Sequence, residues 1–150
     1  MFSTQKRVND FVYAAGFIDG EGTIGVDIKD SIAKSGKLYT AFGCFFQIVN
    51  TYEPIIRHLR NVFDSGKVSQ RVPKSKKAKL QWYLDFRSYE IKTALEKVYP
   101  YLIVKRKQAD LMFKFLEIKG ARGDKDIDPD LVRQRIDIAL ELQILNERGR

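Results

Sequence analysis

Two residue types that build stable covalent or metal centres are nearly missing. The chain of 150 residues has one cysteine, Cys44, and one histidine, His58. A lone cysteine closes no internal disulfide, and together the pair cannot furnish a thiolate or imidazole zinc centre within one chain. No apolar run approaches the roughly 20 residues that a membrane span needs. Asn9 and Asp10 interrupt the N-terminus before the apolar core of a signal peptide can form. No glycine-rich phosphate loop and no serine or cysteine triad is present. The expectation is an intracellular protein in a reducing compartment (organelle, nucleus and prokaryotic cytoplasm are all compatible), with no membrane partner and no small-molecule cofactor.

Acid is also in short supply. Nineteen Asp and Glu face 27 Lys and Arg, giving a net charge of +8 and an isoelectric point near 9.6. An anionic partner is favoured, and nucleic acid is the commonest. The excess is local: six basic residues and no acid lie between Gly66 and Lys79. Hydrophobic content of 44% suits one folded domain, residues 1–150, with a sizeable core.

Hydrophobic periodicity sets out the elements. A helix is expected from about Phe11 to Gly20, capped by Asn9 or Asp10, with Met1 to Asn9 a loose polar arm. From Thr23 to Lys29 the period becomes two, with Ile24, Val26 and Ile28 opposite Asp27 and Lys29. A strand from about Lys37 to Val49 puts Phe42, Cys44, Phe46 and Ile48 on one face and Gly43, Phe45 and Gln47 on the other. Thr51 to Pro54 opens a helix that Ser65-Gly66 closes. Lys67–Val72 and Leu80–Phe86 form a second hairpin. Ser88 starts a third helix and Pro100 ends it. A further helix runs to about Lys119 with Gly120 as its stop, Ala121 to Asp126 form a charged linker, and Asp128-Pro129 begins the last helix. Residues 121–150 are thus a C-terminal helical extension of the same domain. The order predicts an α+β fold: a four-stranded antiparallel sheet with helices packed on its greasy face.

A polar, basic sheet face suits a DNA major groove. Strand parity puts Asp27, Lys29, Gln47, Ser69, Arg71 and Gln81 there, with Gly43 and Phe45 nearby and Lys67 and Tyr83 on the same hairpin. Glu21, flanked by Gly20 and Gly22 just past a helix, is exposed by the turn and can bind a hard cation through oxygen, with a backbone carbonyl beside it. One carboxylate is a poor site alone. Val12, Ala15, Gly16 and Asp19 share a helix face whose small residues let a second copy approach and bring a second Glu21. Two acid-x-lysine patterns, at Glu90 and Glu117, resemble another nuclease signature but fall on helices and are chance matches.

The run Ala14-Ala15-Gly16-Phe17-Ile18-Asp19-Gly20-Glu21-Gly22 resembles the LAGLIDADG motif of homing endonucleases, with Ala14 replacing the leading leucine and Glu21 replacing an aspartate. Phe46-Gln47-Ile48-Val49-Asn50 is similar to the end of that family's second strand, and Pro100 to Ala109 is similar to its later helix start. The resemblance implies an αββαββα core with DNA on a saddle-shaped sheet. One motif, at 14–22, implies a homodimer that hydrolyses both strands of a long pseudo-palindromic double-stranded DNA site and leaves 3′ overhangs. It implies Mg²⁺, in a site that Mn²⁺ or Ca²⁺ can also occupy. By position Glu21 and the Gly20 carbonyl would hold metal, Asn50 would orient the attacking water, Lys105 would contact solvent and phosphate, and Asp19 would cap the partner's motif helix. The rival is an RNA-splicing maturase or a non-cleaving DNA-binding protein of the same fold.

Overall fold

A computed structural model describes residues 3–118 and 128–148, the side chain of the last excepted. The expected Gly120 stop and the 121–126 linker lie outside the described residues. In chain order the elements are α1 (Thr4–Glu21), β1 (Gly22–Ile32), β2 (Leu38–Asn50), α2 (Glu53–Phe63), β3 (Lys67–Arg71), β4 (Gln81–Phe86), α3 (Ser88–Val98), a 3-10 turn (Tyr99–Tyr101), α4 (Arg106–Glu117) and α5 (Pro129–Arg148). The strands form one sheet in the order β1-β2-β4-β3, with β4 antiparallel to both β2 and β3. The α+β architecture expected from periodicity is the one found. No helix among the described residues is long and apolar enough to cross a membrane.

The chain divides into two compact units, Met1–Thr23 with Phe45–Arg106 and Ile24–Cys44 with Lys107–Arg150. The first has its core between the inward face of β2 and β4 and the helices α1 to α3. Phe46 and Phe86 stack with ring centroids 4.7 Å apart, and Phe63 meets Phe86 edge-on at 5.1 Å. Ile18, Ile48, Leu59, Leu84 and Leu95 close around them, all fully buried. In the second unit Ile24 and Val26 of β1, Met112 and Phe115 of α4, and Ala139 and Leu142 of α5 are buried. Arg135 is buried with them at 1% exposure. Its Nη2 donates to the Ile118 carbonyl at 2.9 Å, and its guanidinium lies 5.6 Å from the rings of Phe42 and Phe115. Burial pushes the neighbouring Cys44 thiol up to about 11, the Arg135 charge pulling the other way. Asn146 Nδ2 donates to the Ile24 carbonyl at 3.0 Å and ties α5 to β1.

The first strand runs on to Ile32, three residues past the expected Lys29, and two helix starts differ more. The first helix begins at Thr4, seven residues early, so most of the supposed polar arm is helical. Ser3 Oγ accepts the Lys6 amide at 3.2 Å as the N-cap, and Gln5 bridges to Asn9 at 3.0 Å one turn on. Residues 3–7 are exposed all round, so no apolar period marks them. The helix expected directly after Pro100 starts only at Arg106, because the intervening amides and carbonyls are taken by side chains described below.

Candidate active site and nucleic-acid interface

The first unit carries the chemistry-bearing end of α1. The helix stops where Gly22 turns into β1, its amide bonded to the Ile18 carbonyl. A Cβ on Gly22 would lie 2.9 Å from both Ile18 Cγ2 and that carbonyl oxygen, so the exit demands glycine. Asp19 and Glu21 thus sit in the last turn, where the helix dipole is negative, with no basic residue to offset them. Two acids at that end oppose helix stability and need partners. Asp19 has them: Oδ2 accepts the Ile103 amide at 2.9 Å, and Oδ1 accepts Val104 at 3.1 Å and Lys105 at 2.9 Å. Glu21 is exposed and has no hydrogen-bond or ion-pair partner among the described residues.

Glu21 therefore offers a free carboxylate beside backbone carbonyls, Gly20's among them, that lack a donor within the helix. An all-oxygen set of this kind, part protein and part water or phosphate, fits Mg²⁺. No group of three or more His, Cys, Asp or Glu able to hold a metal occurs among the described residues, and the other acid of that turn, Asp19, is engaged by backbone amides. Lys105, half-buried, is joined to α1 through its own amide and Asp19. Asn50 is also half-buried. Its Oδ1 accepts the Tyr52 amide at 2.8 Å in the turn that starts α2. That bond fixes the orientation of the amide and leaves Nδ2 and the second lone pair of Oδ1 able to act elsewhere.

The face expected to meet a second chain needs correction. Ala15 is fully buried within its own chain, and Asp19 is committed to residues 103–105 of the same chain. Ala15 presents no surface to a partner, and the half-buried Asp19 carboxylate is already engaged by three amides. Val12 is 48% exposed, and a Cβ at Gly16 or Gly20 would meet nothing within 4 Å. The outward stripe of α1 is Val12, Tyr13, Gly16 and Gly20, three and four residues apart. Ile103 and Val104, 85% and 65% exposed, adjoin its C-terminal end.

Register defines the sheet face within the first unit. Gln47 and Lys67 each pair with Asp85, Ser69 pairs with Tyr83, and Arg71 pairs with Gln81. Paired side chains share a face, so Gln47, Lys67, Ser69, Arg71, Gln81 and Tyr83 lie together, opposite the core residues Phe46, Ile48, Leu84 and Phe86. Phe45, with the parity of Gln47, is half-buried. Asp85 belongs to the same face, as its period-two spacing from Gln81 and Tyr83 requires, and joins the candidate contact residues. It accepts from Ser69 Oγ at 3.4 Å and lies 3.7 Å from Arg71 Nη2. The Arg71 guanidinium also covers the Tyr83 ring at 4.0 Å, and Tyr83 Oη donates to Gln81 at 3.0 Å. In the second unit Asp27, Lys29 and Gly43 are exposed, and a Cβ at Gly43 would sit 3.8 Å from that of Asp27. Trp82, on the core side, is half-buried under the Arg57 guanidinium at 5.5 Å.

Comparison with known proteins gives a consistent result. Residues 14–119 match the family model described as LAGLIDADG endonuclease. No curated protein matches the sequence. The fold is similar to the homing endonuclease I-CvuI, solved with the I-CreI target and Mg and with its DNA not cleaved (TM-score 0.71, 22% identity, covering 93% of this chain and 83% of that one). It is similar to the homing endonuclease I-TnaI (TM-score 0.60, 21% identity, 93% and 97%). It also resembles I-GzeII in complex with its DNA target (TM-score 0.63, 18% identity), where it spans 87% of its own length and 43% of the longer chain.

Proposed function

Because the chain belongs to the LAGLIDADG endonuclease family, we propose that it is a homing endonuclease that acts as a homodimer and hydrolyses both strands of a long, pseudo-palindromic DNA site. The observation that carries this reading is Glu21: a carboxylate without a hydrogen-bond or ion-pair partner among the described residues, at the negative end of α1, in a position that costs stability and that a cation would make favourable. Glu21 and the Gly20 carbonyl would hold Mg²⁺, or Mn²⁺ or Ca²⁺ in its place. The chemistry a bound Mg²⁺ supplies there is activation of water and neutralisation of charge on the scissile phosphate. Lys105 would stabilise the negative charge that builds on phosphate oxygens, and Asn50 would orient the attacking water through its side-chain amide. The relatives solved with DNA in Mg or Ca are in keeping with DNA binding and divalent-metal use.

The second carboxylate would come from a second copy, docked through the outward stripe of Val12, Gly16 and Gly20 with Ile103 and Val104 beside it. The DNA would lie on the face formed by Gln47, Lys67, Ser69, Arg71, Gln81 and Tyr83, with Asp27, Lys29, Gly43 and Phe45 also serving it. Lysines 74, 76 and 77, all exposed in the β3–β4 connection, would engage phosphates and set affinity rather than sequence. The test is incubation with a duplex that joins the sequences flanking the coding region, with Mg²⁺ and with EDTA. Double-strand cutting that leaves 3′ overhangs, requires Mg²⁺ and vanishes in Glu21→Gln supports the enzyme. Tight binding with no cutting under any divalent metal would instead identify a maturase or a DNA-binding regulator.

A further inference from the structure

We propose that Asp19 is the positioning residue for Lys105: one carboxylate that sets the spacing between the motif helix and the segment carrying the lysine. The inference rests on the endonuclease reading above. The segment from Leu102 to Lys105 is neither helix nor strand, so no ladder of its own directs it. Leu102 is buried and anchors it, while Ile103 and Val104 project outward. Its carbonyl side is held by Arg106, whose Nε donates to Leu102 O at 3.2 Å and whose Nη2 donates to Pro100 O at 3.0 Å and Tyr99 O at 3.4 Å. Those contacts fold the segment on itself and do not reach α1.

Its amide side is different. Three consecutive amides, Ile103, Val104 and Lys105, converge on the Asp19 carboxylate at 2.9, 3.1 and 2.9 Å. Such convergence is how a backbone binds an anion, and charged acceptors make the stronger hydrogen bonds. Glu21 lies two residues beyond Asp19 in the same helix, so the carboxylate of the metal site and the Lys105 backbone are registered to each other through Asp19. Asp19 touches neither substrate nor metal in this scheme and acts only through the lysine.

A purely structural cap and a positioning residue differ in how their loss combines with loss of Lys105. The experiment uses the full-length protein with Asp19→Ala, Asp19→Asn, Lys105→Met and the double variants. Two quantities are measured: amide exchange at residues 103–105 without DNA or metal, and single-turnover cleavage of the duplex joining the coding-region flanks with Mg²⁺. Asp19→Ala should speed exchange at the three amides by about 10-fold or more and slow cleavage by about 100-fold, the scale of a misplaced reacting group. DNA affinity in EDTA should be unchanged. Asp19→Asn keeps a carbonyl acceptor and the folded state, and it should recover part of both losses. In the Lys105→Met background Asp19→Asn should slow cleavage no further.

An equal fold loss from Asp19→Asn in both backgrounds overturns the assignment, as does unchanged exchange at residues 103–105. A wild-type protein that binds the duplex and never cuts it overturns the endonuclease reading and the catalytic meaning of Asp19 with it. A wild type that cuts, with additive variants, overturns the Asp19 assignment alone.

Discussion

Adjacent positions on α1 should respond in opposite ways to the same added bulk. Ala15 is fully buried, whereas a Cβ at Gly16 meets nothing within 4 Å. Gly16→Ala should leave the single chain unharmed and raise its helix stability by about 1 kcal/mol, since glycine in a helix interior is that much worse than alanine. For a chain of this length that is about 2–4 °C in Tm at concentrations where the protein is monomeric. Gly16→Leu has the same freedom in one chain, yet it forces apart any second helix packed along the Val12–Gly16–Gly20 stripe. Ala15→Leu instead overfills the core and should cost about 1–3 kcal/mol whatever the oligomeric state. Sedimentation velocity over a concentration series, with thermal melts at high dilution, separates these effects. Gly16→Leu is expected to be a well-folded monomer without double-strand cutting. A Gly16→Leu protein that still dimerises with wild-type affinity would refute the assigned seam, and a Gly16→Ala protein that melts lower at high dilution would refute the openness of that face.

Four further outcomes follow from the same geometry. Arg71→Ala, removing a guanidinium held over Tyr83 and beside Asp85, should relax preference at one base pair by about 1–3 kcal/mol, measured by binding to a library of single-base variants of the target. Replacing Lys74, Lys76 and Lys77 by alanine should lower the slope of log affinity against log salt by about 0.9 for each phosphate no longer neutralised, with base preference unchanged. Phe63→Ala empties the centre of the Phe46–Phe63–Phe86 cluster and should cost about 3–5 kcal/mol in urea unfolding. Cys44, its thiol raised from 9.0 to about 11 by burial, should label with iodoacetamide at pH 8 about 100-fold more slowly than in the unfolded chain, in line with its lower thiolate fraction. The unfolded thiol ionises first, so the stability Cys44 contributes is present below pH 9 and is lost as pH rises towards 11.

Strand faces were legible because a period of two leaves little choice: a register slip of one residue would expose Phe46, Ile48, Leu84 and Phe86 together. The same rule places Asp85 with Gln81 and Tyr83. Helix faces were less legible. Ala15 and Gly16 are adjacent in the chain and equally small, and only the packing of α1 against its own unit turns one inward and the other outward. The early start of α1 was hidden because its first turns are exposed on every side, which removes the periodic signal but not the capping chemistry of Ser3. The late start of α4 was out of reach of any local rule. It depends on a carboxylate 84 residues earlier in the chain taking the amides that a helix would otherwise have used. The motif made the acids of α1 conspicuous, yet it carried no sign that Asp19 bonds three amides of its own chain.

The central claim is that two copies each supply one Glu21, and mixed dimers test it most directly. Wild-type and Glu21→Gln chains, distinguished by affinity tags, are co-assembled, and the mixed dimer is incubated with Mg²⁺ and a supercoiled plasmid carrying the target. Wild-type dimers should linearise the plasmid, Glu21→Gln dimers should leave it intact, and mixed dimers should stop at the nicked circle. Linear product from the Glu21→Gln dimer with Mg²⁺ present would contradict the claim.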